Sequence, residues 1–205
     1  MNIEVKNSIK SIDYTESMEI LEKRVHEVSR GERDELLWLL EHKPVYTAGT
    51  SSKIHDLLDK NLKVIKTNRG GKYTCHSPGQ KVVYFVLNLN KRKRDIRELV
   101  SKIEKCIIDI LNEYGIVSHT DKKNIGIWVK NNENTMKIAA IGIRVKKWIA
   151  YHGFALNVSN DLSMYSKIIP CGIRDKKITS LKELGVNNFN NIDKIITQKF
   201  LNIFL

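Results

Sequence analysis

Three apolar runs in close succession constrain this chain more than anything else in it. They are Ile125-Gly-Ile-Trp-Val129, Lys137-Ile-Ala-Ala-Ile-Gly-Ile-Arg-Val145 and Trp148-Ile-Ala-Tyr-His-Gly-Phe-Ala-Leu-Asn-Val158. They read as consecutive strands, and the short polar turns between them favour an antiparallel meander. The turn at Asn131-Asn-Glu-Asn134 is polar enough to lie at the surface. Helices flank this section. Asp13 caps the first, with Glu16 in a capping-box position; Met18, Leu21, Val25 and Val28 follow at helical spacing, and Gly31 ends it. Asp95 and Glu98 open a second, through Leu99, Ile103, Ile107, Ile110 and Leu111 to Gly115. Glu35 to Leu40 reads as a short buried strand. After Asp161 the pattern predicts a helical turn, then helices near 180–184 and 192–204. With no linker, repeat or low-complexity tract, residues 1–205 are expected to form one α+β domain.

Composition excludes several classes. A chain of 205 residues that is 41% hydrophobic and 28% charged buries a sizeable core and is not disordered. No apolar run approaches the roughly 18 residues of a membrane span, and Met-Asn-Ile-Glu-Val-Lys has no signal-peptide core. An odd three cysteines without paired spacing argue against a disulfide framework and for the reducing cytoplasm. The net charge of +12 fits a nucleic-acid binder or an enzyme that docks acidic proteins. Its densest cluster, Lys91-Arg-Lys-Arg94, precedes a helix start and reads as a solvated loop or a binding patch.

The chemistry concentrates elsewhere. Between Leu62–Ile65 and Val82–Leu89, two runs expected to be buried, lies Arg69-Gly-Gly-Lys-Tyr-Thr-Cys-His-Ser-Pro-Gly-Gln80. Its glycines let a ligand approach the backbone, and Arg69 and His76 offer an anion-binding fork and a titratable imidazole. Cys171 sits between Pro170 and Gly172, as a buried turn cysteine or as a nucleophile whose thiolate needs an activator. Cys106 belongs to an amphipathic helix and reads as core; Cys75 lies in the loop, where it would face a ligand. His76 and His152 have glycine-rich settings, His26 and His119 read as surface residues, His42 precedes the turn at Pro44, and His55 starts a short helix. No His-x-x-x-His or Cys-x-x-Cys spacing suggests a metal site, and no Walker loop or Gly-x-Ser-x-Gly elbow is present. Lys137 opens a run of small apolar residues, either as a solvated strand-end lysine or as a partly desolvated acid–base group beside Cys171.

Taken together, four ordered blocks resemble the octanoyltransferase, or lipoyl(octanoyl) transferase, family. They are Pro44-Val-Tyr-Thr-Ala-Gly49; the 69–80 loop; Lys137-Ile-Ala-Ala-Ile-Gly142 with Tyr151-His-Gly-Phe-Ala-Leu-Asn157; and Pro170-Cys-Gly-Ile173 with Thr179-Ser-Leu181. The resemblance spans about residues 14 to 185. It implies the catalytic fold of biotin and lipoate protein ligases, a mixed, mostly antiparallel sheet packed by helices. It implies transfer of an octanoyl group from octanoyl-acyl carrier protein to a lysine of a lipoyl domain. Such domains belong to the 2-oxoacid dehydrogenase complexes and the glycine cleavage H protein. Cys171 would carry the acyl group as a thioester and Lys137 would tune the thiol and handle protons. The matching acyl-pocket stretches are Arg69, Gly70, Gly71, Lys72, Tyr73, Thr74, Cys75 and His76, then Ala140, Ile141 and Gly142, then Gly153, Phe154 and Ala155.

Since a thioester is already activated, no cofactor, nucleotide or metal is expected. Small residues such as Gly142, Gly153 and Ala155 would leave room for the eight-carbon chain between strands. The family pattern has an aromatic residue and then His-Gly-Pro-Gly-Gln, whereas this chain has Cys75 and then His76-Ser-Pro-Gly-Gln80. Both changes bear on pocket shape and chain-length preference, and Cys75 stands as a candidate second reactive thiol. Two rival readings remain. One is an ATP-dependent lipoate-protein ligase of the same fold; the other is a basic nucleic-acid-binding module, which lacks interleaved aromatics and a readout motif.

Overall fold

A computed structural model describes residues 2–131, 134–170 and 177–205. The Asn131–Asn134 turn falls partly, and Cys171 and Gly172 wholly, outside the described residues.

The centre of the fold is the strand Gln80–Asn88 (β6), whose nine residues are all buried. Its sequence, Gln-Lys-Val-Val-Tyr-Phe-Val-Leu-Asn, has no polar alternation because both faces are covered. Val83, Phe85 and Leu87 face one apolar cluster, and Val82, Tyr84 and Val86 face another. Strand β2 (Glu35–Leu40) repeats this split, with Leu37 and Leu39 on the first side and Leu36, Trp38 and Leu40 on the second. Helices α2 (Ile96–Asn112) and α3 (Ile192–Phe204) bury Ile103, Ile107, Ile196 and Phe200 against the first face. Helix α1 (Tyr14–Ser29) covers the second through Leu21, Val25 and Val28. Burying each such side chain stabilises the fold by about 1.5–3 kcal/mol, so the two clusters decide the layering.

The remaining large-sheet strands are β1 (Ile3–Asn7), β7 (Ser118–Thr120), β8 (Ile127–Asn131), β9 (Asn134–Lys146) and β10 (Ile149–Asn157). Their spatial order is β1-β2-β6-β10-β9-β8-β7, with the short β11 (Lys177–Ile178) pairing parallel to β9 at Met136 and Lys137. The β1–β2 pair is also parallel and the others are antiparallel, so the sheet is mixed and the 125–158 meander is present. A smaller sheet pairs β3 (Val45–Ala48) with β4 (Val64–Lys66) and β5 (Tyr73–His76).

Several local expectations differ from the structure. The 69–80 segment is not a plain loop, because β5 runs through it and pairs with β3. Leu62, Val64 and Ile65 are half-buried rather than buried, since β4 is an edge strand of the small sheet. The segment near 180–184 forms turns, held by Leu181 N–H to Asn157 O and Lys182 N–H to Val158 O (3.1 and 2.9 Å). Asp95 caps α2 as expected, accepting from the amides of Arg97 and Glu98. Glu98 does not return the bond; its carboxylate pairs with Lys93 and Lys102. Arg92, in the basic cluster, is mostly buried and forms an ion pair with the buried carboxylate of Glu35, so that cluster is partly structural. Among the described residues, no helix is long and apolar enough to cross a membrane.

Candidate active site

Strands β9 and β10 pair Ala140 with Ala155 and Gly142 with Gly153, and the arch before β5 leans over them. Gly70 N–H donates to Ile143 O at 3.2 Å, tying that arch to β9. Between them lies a cleft of about 510 Å³, open mouth included. Residues 69–74, His76, 140–142 and 153–155 line it, together with Val82, Tyr84 and His152. A second cleft, of about 260 Å³, is lined by Lys137, Asn157, Tyr165, Pro170 and Ile178. Thr74, Ala140 and Ala155 border both, so the two clefts adjoin along β9 and β10.

Among the described residues, the sequence candidates are thus brought together with one exception. Cys75 does not border the large cleft. It is buried in a satellite cluster with Tyr73, Tyr165 and Ile168, and burial pushes its thiol up to about 12. A thiol held protonated this way is a poor nucleophile, which argues against a second reactive cysteine here. Cys106 is buried in α2 as expected, its thiol likewise raised to about 12 by burial. Gly153 is needed for a reason other than cleft space: a Cβ there would stand 1.9 Å from Val83 O on β6.

Arg69 was expected to offer a fork to an anion, yet the guanidinium is buried and turned onto its own loop. It donates to Thr47 O, Thr47 Oγ1, Lys72 O and Gly70 O at 2.8–3.0 Å. Its role here is to hold the arch closed, its two terminal nitrogens bonding three backbone carbonyls and a hydroxyl.

The histidines near the cleft are neutral. His76 Nδ1 lies 2.6 Å from Gln80 Oε1, and because an amide oxygen only accepts, Nδ1 carries the proton. Burial, then His42 and Arg69 nearby, push the His76 imidazole down to about 3. His42, read as a turn residue, is buried instead: Nδ1–H donates to Ile12 O at 3.0 Å, so Nε2 accepts from Tyr84 Oη at 2.8 Å. Burial pushes it down to about 4. His152 adopts a φ of 65°, rare for a side chain larger than glycine, and packs edge-on against Tyr84. Its Nε2 meets Asn68 Oδ1 at 2.6 Å, and burial lowers it to about 3.

Lys137 is buried, with Nζ donating to Ile125 O at 2.8 Å and lying 5.1 Å from the Trp128 ring centroid. The residue that makes this possible was missed in the sequence. Gly126, at φ 134°, leaves the space that Lys137 fills: a Cβ there would stand 2.3 Å from Lys137 Cε and 2.9 Å from Nζ. Asn157 links the two clefts. Its Oδ1 accepts from Gln80 Nε2 at 2.9 Å and its Nδ2 donates to Thr179 O at 3.0 Å, while Thr179 N–H donates to Lys137 O at 2.9 Å. His76, Gln80, Asn157, Thr179 and Lys137 therefore form one hydrogen-bonded line beneath both clefts.

Comparison with known proteins agrees with this architecture. The model of the lipoyl protein ligase A/B catalytic domain matches residues 13–201. The octanoyltransferase of Anaplasma marginale (strain Florida) is 46% identical over 197 residues, 95% of this chain and 92% of that protein. That of Ehrlichia chaffeensis is 44% identical over 205 residues, 98% of this chain and 96% of that protein. Among solved structures, a protein described as a lipoate protein ligase from T. acidophilum with bound lipoic acid superimposes with a TM-score of 0.77. It is 14% identical, over 99% of this chain and 86% of that one. A lipoate-protein ligase A bound with ATP gives a TM-score of 0.72 at 14% identity, over 98% and 85%. At such identities these structures speak for the shared fold, whereas the matches at 44–46% over nearly the whole chain carry the family. This chain belongs to the octanoyltransferases, an acyltransferase family built on the lipoyl protein ligase A/B catalytic domain.

Proposed function

We propose that this chain moves an octanoyl group from octanoyl-acyl carrier protein to the target lysine of a lipoyl domain, in the cytoplasm, through a thioester on Cys171. The acceptors are the lipoyl domains of 2-oxoacid dehydrogenase complexes and the glycine cleavage H protein. The observation that carries this reading is the junction of an apolar cleft with a smaller one that holds buried Lys137 beside Pro170, the residue preceding Cys171. In the first half-reaction the Cys171 thiolate attacks the donor's carbonyl carbon. A new C–S bond forms, the donor's C–S bond breaks, and the departing thiolate takes a proton. In the second, a neutral lysine amine of the acceptor attacks the acyl-enzyme. An amide forms, Cys171 leaves as thiolate, and the amine's surplus proton is handed on.

Lys137 is the group suited to hold and pass these protons, since proton transfer by a positioned side chain commonly contributes 10²–10⁴-fold. Residues 69–76, 140–142 and 153–155, Cys75 excepted, would contact the acyl chain. Each CH2 buried there contributes about 0.8 kcal/mol, enough to make the cleft sensitive to chain length. The energy of the existing thioester drives both steps, so the reading needs no nucleotide. Neutral histidines along the cleft suit it as well, because charged imidazoles there would oppose an alkyl chain.

The test is intact mass after incubation with octanoyl-acyl carrier protein. A single octanoyl adduct, released by hydroxylamine and absent from Cys171→Ala, is expected. Normal transfer by Cys171→Ala would refute the covalent mechanism, and turnover that depends on ATP and free octanoate would replace transfer with ligation.

A further inference from the structure

We infer that the surface formed by residues 53–60 is the landing site for the acyl-donor carrier protein, an acidic partner whose apolar patch covers Ile54 and Leu58. The inference rests on the acyl-transfer reading above and adds where the donor binds. Ile54 is 73% exposed and Leu58 56% exposed, four positions apart on one short segment. Both are large aliphatic side chains left open on one short segment of a lysine-rich surface. Exposed Lys53, Lys60, Lys63 and Lys167 surround the segment or adjoin it in the chain. The nearby acids do little to offset them. Asp56 is buried and faces Lys72 and His55, and Asp59 is half-buried 3.9 Å from Lys167. An apolar pair with a basic rim is complementary to an acidic surface with an apolar centre.

Position decides the partner's role. Leu58 and Asp59 donate their amides to Lys167 O at 3.0 and 3.2 Å, and Ile169 N–H donates to Asp56 O at 2.7 Å. Leu57 and Ile168 form an antiparallel bridge. The segment is therefore fixed to the stretch that runs directly into Pro170, which lines the small cleft beside Lys137. A partner seated there adjoins the reacting end of the cleft, while the Asp56–Lys72 pair links the same segment to the arch over the acyl end. The donor delivers its thioester on an arm that carries a phosphate, which lysines attract. The acceptor offers a lysine, which the same side chains repel. The charge thus favours the donor over the lipoyl domain.

The experiment compares the unaltered protein with the triple variant Lys53→Glu, Lys60→Glu, Leu58→Ser, all at exposed positions outside both clefts. Acyl loading is measured from octanoyl-acyl carrier protein and from the octanoyl thioester of a small uncharged thiol, and acyl discharge to a lipoyl domain is measured from preloaded enzyme. The expected result is a rise of tenfold or more in KM for the carrier protein, with a weaker salt dependence. Loading from the small thioester and discharge to the lipoyl domain should stay within twofold. An unchanged KM for the carrier protein would overturn the inference. So would an equal loss with the small thioester, which would mean a damaged site, or a slowed discharge with normal loading, which would assign the surface to the acceptor. Failure of the unaltered protein to load from either thioester would instead bring down the acyl-transfer reading itself.

Discussion

The two ends of the joined clefts are built on opposite principles. At the wide end the imidazoles are buried and neutral: His76 and His152 are lowered to about 3, His42 behind them to about 4, and burial raises Tyr84. Of the two cations lining it, Arg69 turns its terminal nitrogens onto Thr47, Gly70 and Lys72, and Lys72 faces Asp56 at 3.7 Å. At the narrow end a lysine amine is buried against a carbonyl oxygen and a tryptophan ring, in a space kept by a missing side chain. One end is suited to receive hydrocarbon, the other to move protons, and the two share a wall of Thr74, Ala140 and Ala155. Perturbing one end should leave the other's property intact.

The largest effect is expected from Lys137→Met, which keeps the side-chain bulk and removes the amine. Acyl loading should slow by 10²–10⁴-fold, the range for loss of a positioned acid–base group. Affinity for a non-reactive octanoyl thioether analogue should change less than threefold. Loading within threefold of the unaltered protein would remove Lys137 from the mechanism, and a parallel loss of analogue affinity would mean that the two ends are not independent.

Gly126→Ala sharpens the same contrast from a distance. The new methyl overlaps Lys137 Cε and Nζ and must sit at φ 134°, so the lysine has to move off Ile125 O. A tens-fold drop in kcat with little change in KM is expected, because a displacement near 1 Å at a reacting group is costly. A normal kcat would show that the Ile125 carbonyl does not set the lysine's position.

How visible these features were in the sequence depends on how far apart their parts lie. The meander, β2, α1 and α2 were legible because their apolar spacing is local and repeats over five or more residues. Strands β1, β3, β5 and β7 have three to five residues each and owe their existence to pairing with distant partners. Lys137 alone looked like a strand-end lysine, and only the family resemblance singled it out. Its carbonyl partner lies 12 positions away and its space is made by Gly126, neither of which spacing reveals. Arg69 was placed in the right segment but misjudged in role, since nothing near it in sequence announces that Thr47 O would take its donors. The buried His42 was missed for the same reason: Ile12 and Tyr84 reach it from 30 and 42 residues away.

The neutral histidines at the wide end also make a stability prediction. In the unfolded chain a histidine titrates near 6.5, whereas His42, His76 and His152 are lowered to about 3–4 in the folded protein. The unfolded state therefore takes up protons first as pH falls, and folding is progressively penalised. Their contribution is complete above about pH 7 and is lost as pH drops through 6.5 toward the folded values. Between pH 7.5 and 5.5 the loss is on the order of 1 kcal/mol for each histidine. Urea denaturation at the two pH values should show the midpoint falling at the lower one. His76→Gln should weaken that dependence, and a midpoint independent of pH would mean that these rings are solvated or charged.

The smallest effect separates the two cysteines that flank the chemistry in sequence. Cys75 and Cys171 both fall within family blocks, but Cys75 lies against Tyr165 and Ile168, away from the large cleft, its thiol raised to about 12. Cys75→Ala should cost on the order of 1 kcal/mol in stability, the scale of losing a small buried group. The octanoyl adduct should still form, once per chain and at an unchanged rate. A second adduct in the unaltered protein that disappears in Cys75→Ala would show that the satellite cluster opens to the acyl donor. The division between an inert wall and a reactive end would then have to be redrawn with Cys75 on the reactive side.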